Sequence, residues 1–340
     1  MIKFIFTIIS SSILIIHSVN IPSQGKNTPP KITAPIDIKQ IQKDLNQIDL
    51  SAPPILTPSF KKYFQHYDID FNNAHHYFGT FNAGNKSLAA HIFLRENSQG
   101  TIFLLHGYND HTGMLKNLIR FCLKQNFSIA VYDLPGLGLS SGERGAINNF
   151  GEYADIHKTF ISLYKNYLPR PFHLIGHSTG CAITYEYLNN NQNSDFEKII
   201  FLAPLVRHAY WGISKIGYFL VRPFTKTVPR VFRKNSSDQS YLEFVKNDPL
   251  QNRRIPLKFP TALIKWDKRI KQYDQLERTI YIIQGTKDSV VDWKYNIKFL
   301  KKKIETVHLK LIENAKHQLV NENATIRAEV FEGIESFLEQ

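Results

Sequence analysis

Apolar and polar positions along the chain fall into a repeating order. Apolar runs of strand length occur at Thr101–Leu105, Ser128–Tyr132, Phe172–Ile175, Lys198–Leu202, Thr279–Ile283 and His308–Leu311. Helix-like stretches lie between several of them, at Leu115–Lys124, Tyr153–Tyr167 and Thr179–Leu188. Strands that are apolar throughout and alternate with helices predict an α/β fold, with a mostly parallel central sheet covered by helices on both faces. Ahead of this series, Tyr77–Phe81 and Leu88–Leu94 read as a pair of strands joined by a turn containing Gly84, Asn85 and Lys86. Ligands of such sheets bind beyond the carboxyl ends of the strands, so chemistry is expected just after the apolar runs.

Three segments depart from the rhythm. Residues 206–275 show no strand series and are rich in aromatic and basic residues, which predicts a cap inserted into one domain over 75–340. Residues 21–74 are expected to form an N-terminal linker or extension. They are Pro-, Ser- and Lys-rich as far as Pro58, with one helix-like stretch near Ile38–Leu50. Residues 1–20 read as a signal peptide or membrane anchor, because Lys3 is the only charge before an apolar run from Phe4 to Ile16. That run is shorter than the roughly 20 residues of a membrane span. It fits the apolar region of an export signal, about 7–15 residues long. No A-x-A site follows it; Ser18 and Ser23 are the small candidates for the last residue removed. Export to a periplasm or the exterior after cleavage is expected, with a retained anchor or an N-terminal core strand as alternatives.

Charge narrows the partners. The 340 residues carry 42 Lys or Arg against 29 Asp or Glu, a formal +13. Fifteen of the basic and five of the acidic residues fall within 206–275, so the cap supplies +10 of that total. A basic balance suits nucleic acid, phospholipid headgroups or an acidic substrate. With no zinc-finger spacing, helix-turn-helix signal or RNA-binding aromatic motif, no nucleic-acid partner is expected. Cys122 and Cys181 sit among apolar neighbours in helix-like stretches and read as buried free thiols, although a single pair leaves a disulfide open. No Cys/His cluster has ligand spacing, so neither metal nor cofactor is expected.

The strongest motif is Gly176-His177-Ser178-Thr179-Gly180. A bare G-x-S-x-G arises by chance in about one chain in ten of this length, so its setting decides. It follows the run Phe172–Ile175 and opens a helix, the strand–turn–helix context of a nucleophile elbow. Gly176 and Gly180 permit the sharp turn, and the helix start favours developing negative charge on Ser178. The competing reading is a glycine-rich turn with an idle serine. A serine needs a base to take its proton, and His317 follows the last strand in Glu313-Asn314-Ala315-Lys316-His317. Asp288, after Thr279–Ile283, would orient the imidazole, with Asp292 as the other candidate acid. The order Ser178, Asp288, His317 is the nucleophile–acid–base order of this fold. An oxyanion hole needs backbone N–H donors; Thr179 and Tyr108 are the candidates, the latter in His106-Gly107-Tyr108-Asn109-Asp110 after Thr101–Leu105. His106 could serve as a base, but a structural role in positioning that loop is preferred.

Taken together, these motifs resemble the monoglyceride lipase and lysophospholipase branch of the α/β-hydrolases, grouped by sequence with the S33 serine aminopeptidases. The matching segments are His106-Gly107 with the loop to Gly113, Asp133 to Gly142, the elbow, Gly285 to Asp288, and Ala315-Lys316-His317. They span about residue 75 to the C-terminus. The resemblance implies Ser178, Asp288 and His317 as a catalytic triad and a lid between the sixth and seventh strands, where 206–275 lies. Leu137 departs from the histidine common in relatives, and the export segment and linker are additions.

The cap carries Trp211, Ile213, Ile216, Tyr218, Phe219, Leu220, Phe224 and Phe232, interleaved with Lys215, Arg222, Lys226, Arg230, Arg233 and Lys234. That alternation suits an anionic lipid interface; equally, a cap can pack its aromatics inward and solvate its charges. The expected activity is a serine esterase acting through an acyl-enzyme on lipid-like monoacyl esters, with peripheral contact to an anionic membrane. An aminopeptidase or amidase of the same fold, and a non-catalytic lipid-binding protein, are the competing readings. Oligomeric state is not legible.

Overall fold

The computed structural model describes residues 36–339. The apolar run Phe4–Ile16, and with it the expected export signal or anchor, lies outside the described residues.

The described chain opens with helices α1 (Ile38–Asp44) and α2 (Pro58–Tyr67). Within the expected linker or extension, the described residues are ordered. Residues 58–67 form a helix that buries Phe60, Tyr63, Phe64 and Tyr67 against Phe78, Ala89, Met114 and cap residues Val245 and Leu250. Thr57 caps it by accepting from Phe60 N–H at 3.2 Å, and Pro58 starts it. Each buried aromatic contributes about 1.5–3 kcal/mol relative to exposure, which holds the segment to the domain. Between the helices the chain bonds along the edge of the sheet, with Ile48 N–H donating to Thr80 O at 2.9 Å.

Strands β1 (His75–Ala83) and β2 (Lys86–Leu94) pair antiparallel as the expected hairpin. The series β3 (Thr101–Leu105), α3 (Lys116–Lys124), β4 (Ser128–Tyr132), α4 (Phe150–Tyr164), β5 (Phe172–His177), α5 (Thr179–Asn190) and β6 (Phe196–Leu202) follows. Then comes the cap: α6 (Trp211–Val221), β7 (Thr227–Pro229), α7 (Gln239–Asn247), β8 (Arg254–Pro256) and α8 (Lys258–Arg269), with β7 and β8 forming a small sheet of their own. The chain returns to the main sheet through β9 (Leu276–Gly285), α9 (Trp293–Lys303), β10 (Ile304–Ile312) and α10 (Ala324–Leu338).

The eight-stranded sheet runs β1-β2-β4-β3-β5-β6-β9-β10, and every pair from β4 onward is parallel. Both faces are covered. One core gathers α4, α5 and α8, with Phe150, Phe160, Ile183 and Trp266; the other gathers α3 and α10, with Ile119, Leu123, Val330 and Phe337. This is why β3, β4 and β5 are buried along their whole length and read as unbroken apolar runs. Cys122 and Cys181 are both buried and free.

Parallel register aligns the strand ends. Leu105 pairs with Gly176, His177 with Leu202, Leu202 with Ile283, and Gly285 with Ile312. The loops carrying Tyr108, Ser178, Asp288 and His317 therefore leave the sheet side by side.

Candidate active site

Ser178 sits at φ 53°, ψ −110°, a conformation that side chains rarely adopt. The turn is held from both sides: Ser178 N–H donates to Leu202 O at 2.9 Å, and Ser178 O accepts from Cys181 N–H at 3.1 Å. Such backbone strain persists only where the surroundings over-determine it, and it clusters at functional sites. Gly180 explains its own place in the motif, because any Cβ there would collide with the backbone carbonyl of Leu105 at the end of β3. Gly176 pairs with Leu105 one residue before the end of β5.

His317 is buried, and its Nδ1 lies 2.7 Å from Asp288 Oδ2. Since a carboxylate only accepts, Nδ1 carries the proton and Nε2 keeps a basic lone pair. Asp288 is fully engaged: Oδ1 accepts from Val290 N–H at 2.8 Å and Val291 N–H at 3.2 Å, and Gln284 Nε2 lies 3.2 Å from Oδ2. Burial pushes the Asp288 carboxyl up, but its pairing with His317 and the Val290 and Val291 N–H bonds prevail and hold it below the usual carboxylate value. Asp292, the other candidate acid, instead caps α9 by accepting from Tyr295 N–H at 3.3 Å. The ring of His177, immediately before Ser178, lies 5.0 Å from that of His317. No hydrogen bond joins the Ser178 hydroxyl to His317 in the structure.

The loop after β3 is braced at several points. His106 is buried, its Nδ1 donating to Gly107 O at 2.8 Å and its Nε2 accepting Leu134 N–H at 2.9 Å. Both nitrogens are spent on backbone, and burial lowers its pKa against the pull of Asp133, so it tethers the loop as a neutral ring. Tyr108 anchors outward: its hydroxyl donates to Gly145 O at 2.7 Å, and its ring stacks on Phe259 of α8 at 3.6 Å. The backbone N–H of Thr179 opens α5, beside this loop.

Sequence reasoning missed the contacts that the cap makes with these loops. Asn252 Nδ2 donates to Asn109 Oδ1 at 3.2 Å, Arg233 Nη1 to Ser289 O at 2.9 Å, and Gln318 N–H to Asn235 O at 2.9 Å. The neighbours of Tyr108, Asp288 and His317 are thus each tied to the cap. Its base is pinned to α5 by buried Glu186, which accepts from Trp266 Nε1 at 2.9 Å and Tyr273 Oη at 2.8 Å and pairs with Arg269. Outward, α6 and the turn after it expose Ile213, Ile216, Phe219, Leu220 and Phe224, the last 81% accessible.

Comparison with known proteins agrees with this architecture. The family described as serine aminopeptidase, S33 matches residues 96–324. A monoglyceride lipase homolog of monkeypox virus is 25% identical over 244 residues, covering 70% of this chain and 88% of the relative. Phospholipase YtpA of Bacillus subtilis is 24% identical over 250 residues, covering 70% and 95%. Among solved structures, a soluble variant of monoglyceride lipase from Saccharomyces cerevisiae, in complex with a substrate analog, superposes with a TM-score of 0.66 at 18% identity, covering 76% of this chain and 94% of that one. With the fold and the family match in agreement, the chain belongs to the S33 serine aminopeptidase family of α/β-hydrolases.

Proposed function

We propose that this protein hydrolyses carboxylic esters of lipid-like monoacyl substrates, a monoacylglycerol or a lysophospholipid, with Ser178 as nucleophile. In this reading Ser178 Oγ attacks the ester carbonyl while His317 Nε2 takes its proton. Asp288 holds the imidazole through Nδ1 and stabilises it once charged. The N–H groups of Thr179 and Tyr108 receive the oxyanion. The protonated His317 gives its proton to the leaving alcohol, and the acyl group remains on Ser178. His317 then activates a water that releases the fatty acid and restores the serine.

One observation carries the reading: the 2.7 Å pair of His317 and Asp288, presented at the ends of adjacent strands beside a serine at positive φ. The relatives named monoglyceride lipase and phospholipase support the lipid-ester substrate class. The exposed apolar face of α6, with Lys215, Arg222 and Lys226 near it, supports a cap that meets an anionic lipid surface. The apolar run Phe4–Ile16 supports export, with removal or retention of that segment.

Ser178→Ala tests the assignment. Turnover of p-nitrophenyl butyrate and of monoacylglycerols should disappear while the thermal midpoint stays near that of the parent. Retained turnover would place the nucleophile elsewhere.

A further inference from the structure

The segment ahead of the hydrolase fold reaches the machinery above Ser178. Tyr67, the last residue of α2, donates from its hydroxyl to Asp248 Oδ1 at 2.7 Å. Asp248 follows α7 in the cap, and its other oxygen lies 2.8 Å from His111 Nε2. His111 stands three residues beyond Tyr108 in the loop after β3. Leu250 N–H at 3.0 Å and Gln251 Nε2 at 3.1 Å complete the carboxylate. The side chains of His111 and Asp248 are 1% and 0% exposed.

Shape fixes the junction as well. The Tyr67 ring meets His111 edge-on at 4.8 Å and lies so close to Gly113 that a Cβ there would stand 2.5 Å from the ring. With Ile41, Phe60, Phe64, Met114, Val245 and Leu250 it belongs to one buried apolar cluster. Three segments far apart in sequence thus meet at one buried carboxylate: the extension, the candidate oxyanion loop and the cap. The family match begins at residue 96, so Tyr67 lies outside the matched part of the chain.

The loop that carries Tyr108 N–H is tied at its start by His106 to Leu134, and near its end by Thr112 to Asp133 and by His111 to Asp248. Without the Tyr67 hydroxyl, Asp248 loses a buried donor, and the turn 248–252, which carries the Asn252–Asn109 contact, loses a hold. An oxyanion donor is effective only when its direction is set before the charge develops.

We propose that Tyr67 is a positioning residue: through Asp248 and His111, the N-terminal helix pair keeps the cap and the Tyr108 loop in one register, so that turnover depends on a segment outside the matched hydrolase region. Tyr67 touches no substrate. The kinetic consequence rests on the ester-hydrolase reading above.

The test uses the full chain with Tyr67→Phe, which keeps the ring and removes the hydroxyl. Tyr63→Phe is the control, since that neighbouring buried hydroxyl has no hydrogen-bond partner. For p-nitrophenyl butyrate, Tyr67→Phe should lower kcat about tenfold with KM within about twofold, while Tyr63→Phe leaves both unchanged. Fluorophosphonate titration counts intact sites, so a loss of kcat matched by a loss of titratable sites would mean simple unfolding and overturn the proposal. Amide hydrogen exchange over 107–113 and 248–252 reads the junction without any substrate and should quicken in Tyr67→Phe alone. Unchanged exchange, or parental kcat per site, overturns the proposal. A parent that hydrolyses no ester but shows this exchange response would reject the ester reading and keep the junction.

Discussion

His177 Nε2 donates to the backbone carbonyl of His317 at 3.1 Å, so the residue before Ser178 holds the loop that carries the proposed base. The donor must be Nε2–H, because a carbonyl only accepts. Burial, with the neighbouring His317, brings the His177 pKa down to about 4 despite Asp110, so the ring is neutral at pH 7. Its Nδ1 is buried without a hydrogen-bond partner, 3.8 Å from Asp110 Oδ2, an oxygen that Gln318 Nε2 also reaches at 3.1 Å. His177 therefore couples the turn of Ser178 to the loop of His317.

His177→Leu keeps the bulk and removes that donor. The His317 carbonyl retains Leu319 N–H at 3.0 Å, so the stability loss should be modest, about 1 kcal/mol. The catalytic effect should be larger: kcat for a soluble ester falling about tenfold with KM unchanged. Steady-state kinetics and urea unfolding on the same preparation check both. A parental kcat would mean that the two loops are held independently.

Glu186 offers a second handle, on the base of the cap. Glu186→Ala leaves Trp266 Nε1 and the Tyr273 hydroxyl without their acceptor and Arg269 without its partner. Arg269 is 43% exposed and can turn to solvent, so the loss comes mainly from the buried Trp266 Nε1 left without an acceptor, about 1–3 kcal/mol. Glu186→Gln keeps a carbonyl acceptor and should lose less. Urea unfolding should rank the parent above Gln and Gln above Ala, and equal midpoints for the two variants would refute the pairing argument.

The sequence was legible where burial is uniform or the chemistry local. The runs Thr101–Leu105 and Ser128–Tyr132 match β3 and β4 because both faces of those strands are covered. As candidates, Ser178, Asp288 and His317 were legible from their order, each after its own strand, and the structure brings Asp288 to His317. The helix Pro58–Tyr67 was hidden by the linker-like composition before it, although its signals were present. Its apolar positions 60, 63, 64 and 67 keep helical spacing, with Thr57 before them and Pro58 at the start. The junction of Tyr67, His111 and Asp248 left no sequence signal, because its members are separated by 44 and 137 positions and meet only when the cap closes over the sheet. Which cap aromatics face inward was likewise illegible: Trp211 is buried and Phe224 exposed, although both stand in the same basic, aromatic stretch.

The His111–Asp248 pair predicts a pH window for stability. Burial raises the Asp248 carboxyl, but the His111 charge and hydrogen bond, with Leu250 N–H and Tyr67, bring it down to about 2 from an ordinary 3.8. Burial lowers His111, but Asp248, Asp133 and Asp110 outweigh that and raise it above its ordinary 6.5. Gly113 N–H, 3.2 Å from Nδ1, gives way when that nitrogen carries a proton. A depressed carboxyl stabilises fully above its unfolded value and loses that contribution as pH falls toward the folded one. A raised imidazole stabilises fully below its unfolded value and loses that contribution as pH rises through the folded one. Both contributions are therefore complete between the ordinary values of 3.8 and 6.5. Scanning calorimetry from pH 3 to 9 should show the gap between the parent and Asp248→Asn widest in that window and narrowing on either side. A gap that keeps growing above pH 7 contradicts the pairing.

The exposed face of α6 predicts a separation between chemistry and lipid contact. Ile213, Ile216, Phe219, Leu220 and Phe224 point to solvent, and Lys215, Arg222 and Lys226 stand among them. Inserting one such side chain into the acyl boundary is worth about 1.5–3 kcal/mol, and each nearby Lys or Arg adds about 1 kcal/mol at an anionic surface. The double variant Ile216→Asp, Phe224→Asp removes two anchors and adds two repelling charges. Its affinity for phosphatidylglycerol-containing vesicles should fall at least 100-fold in sedimentation at low salt. Both side chains are largely exposed, 64% and 81%, so kcat/KM for p-nitrophenyl butyrate should stay at the parental value. Vesicle-borne monoacylglycerol should be turned over more slowly, and a saturating detergent that presents substrate in micelles should restore the rate. Equal binding of the parent to neutral and anionic vesicles would remove the electrostatic part of this account. Undiminished vesicle binding by the double variant would remove α6 from it altogether.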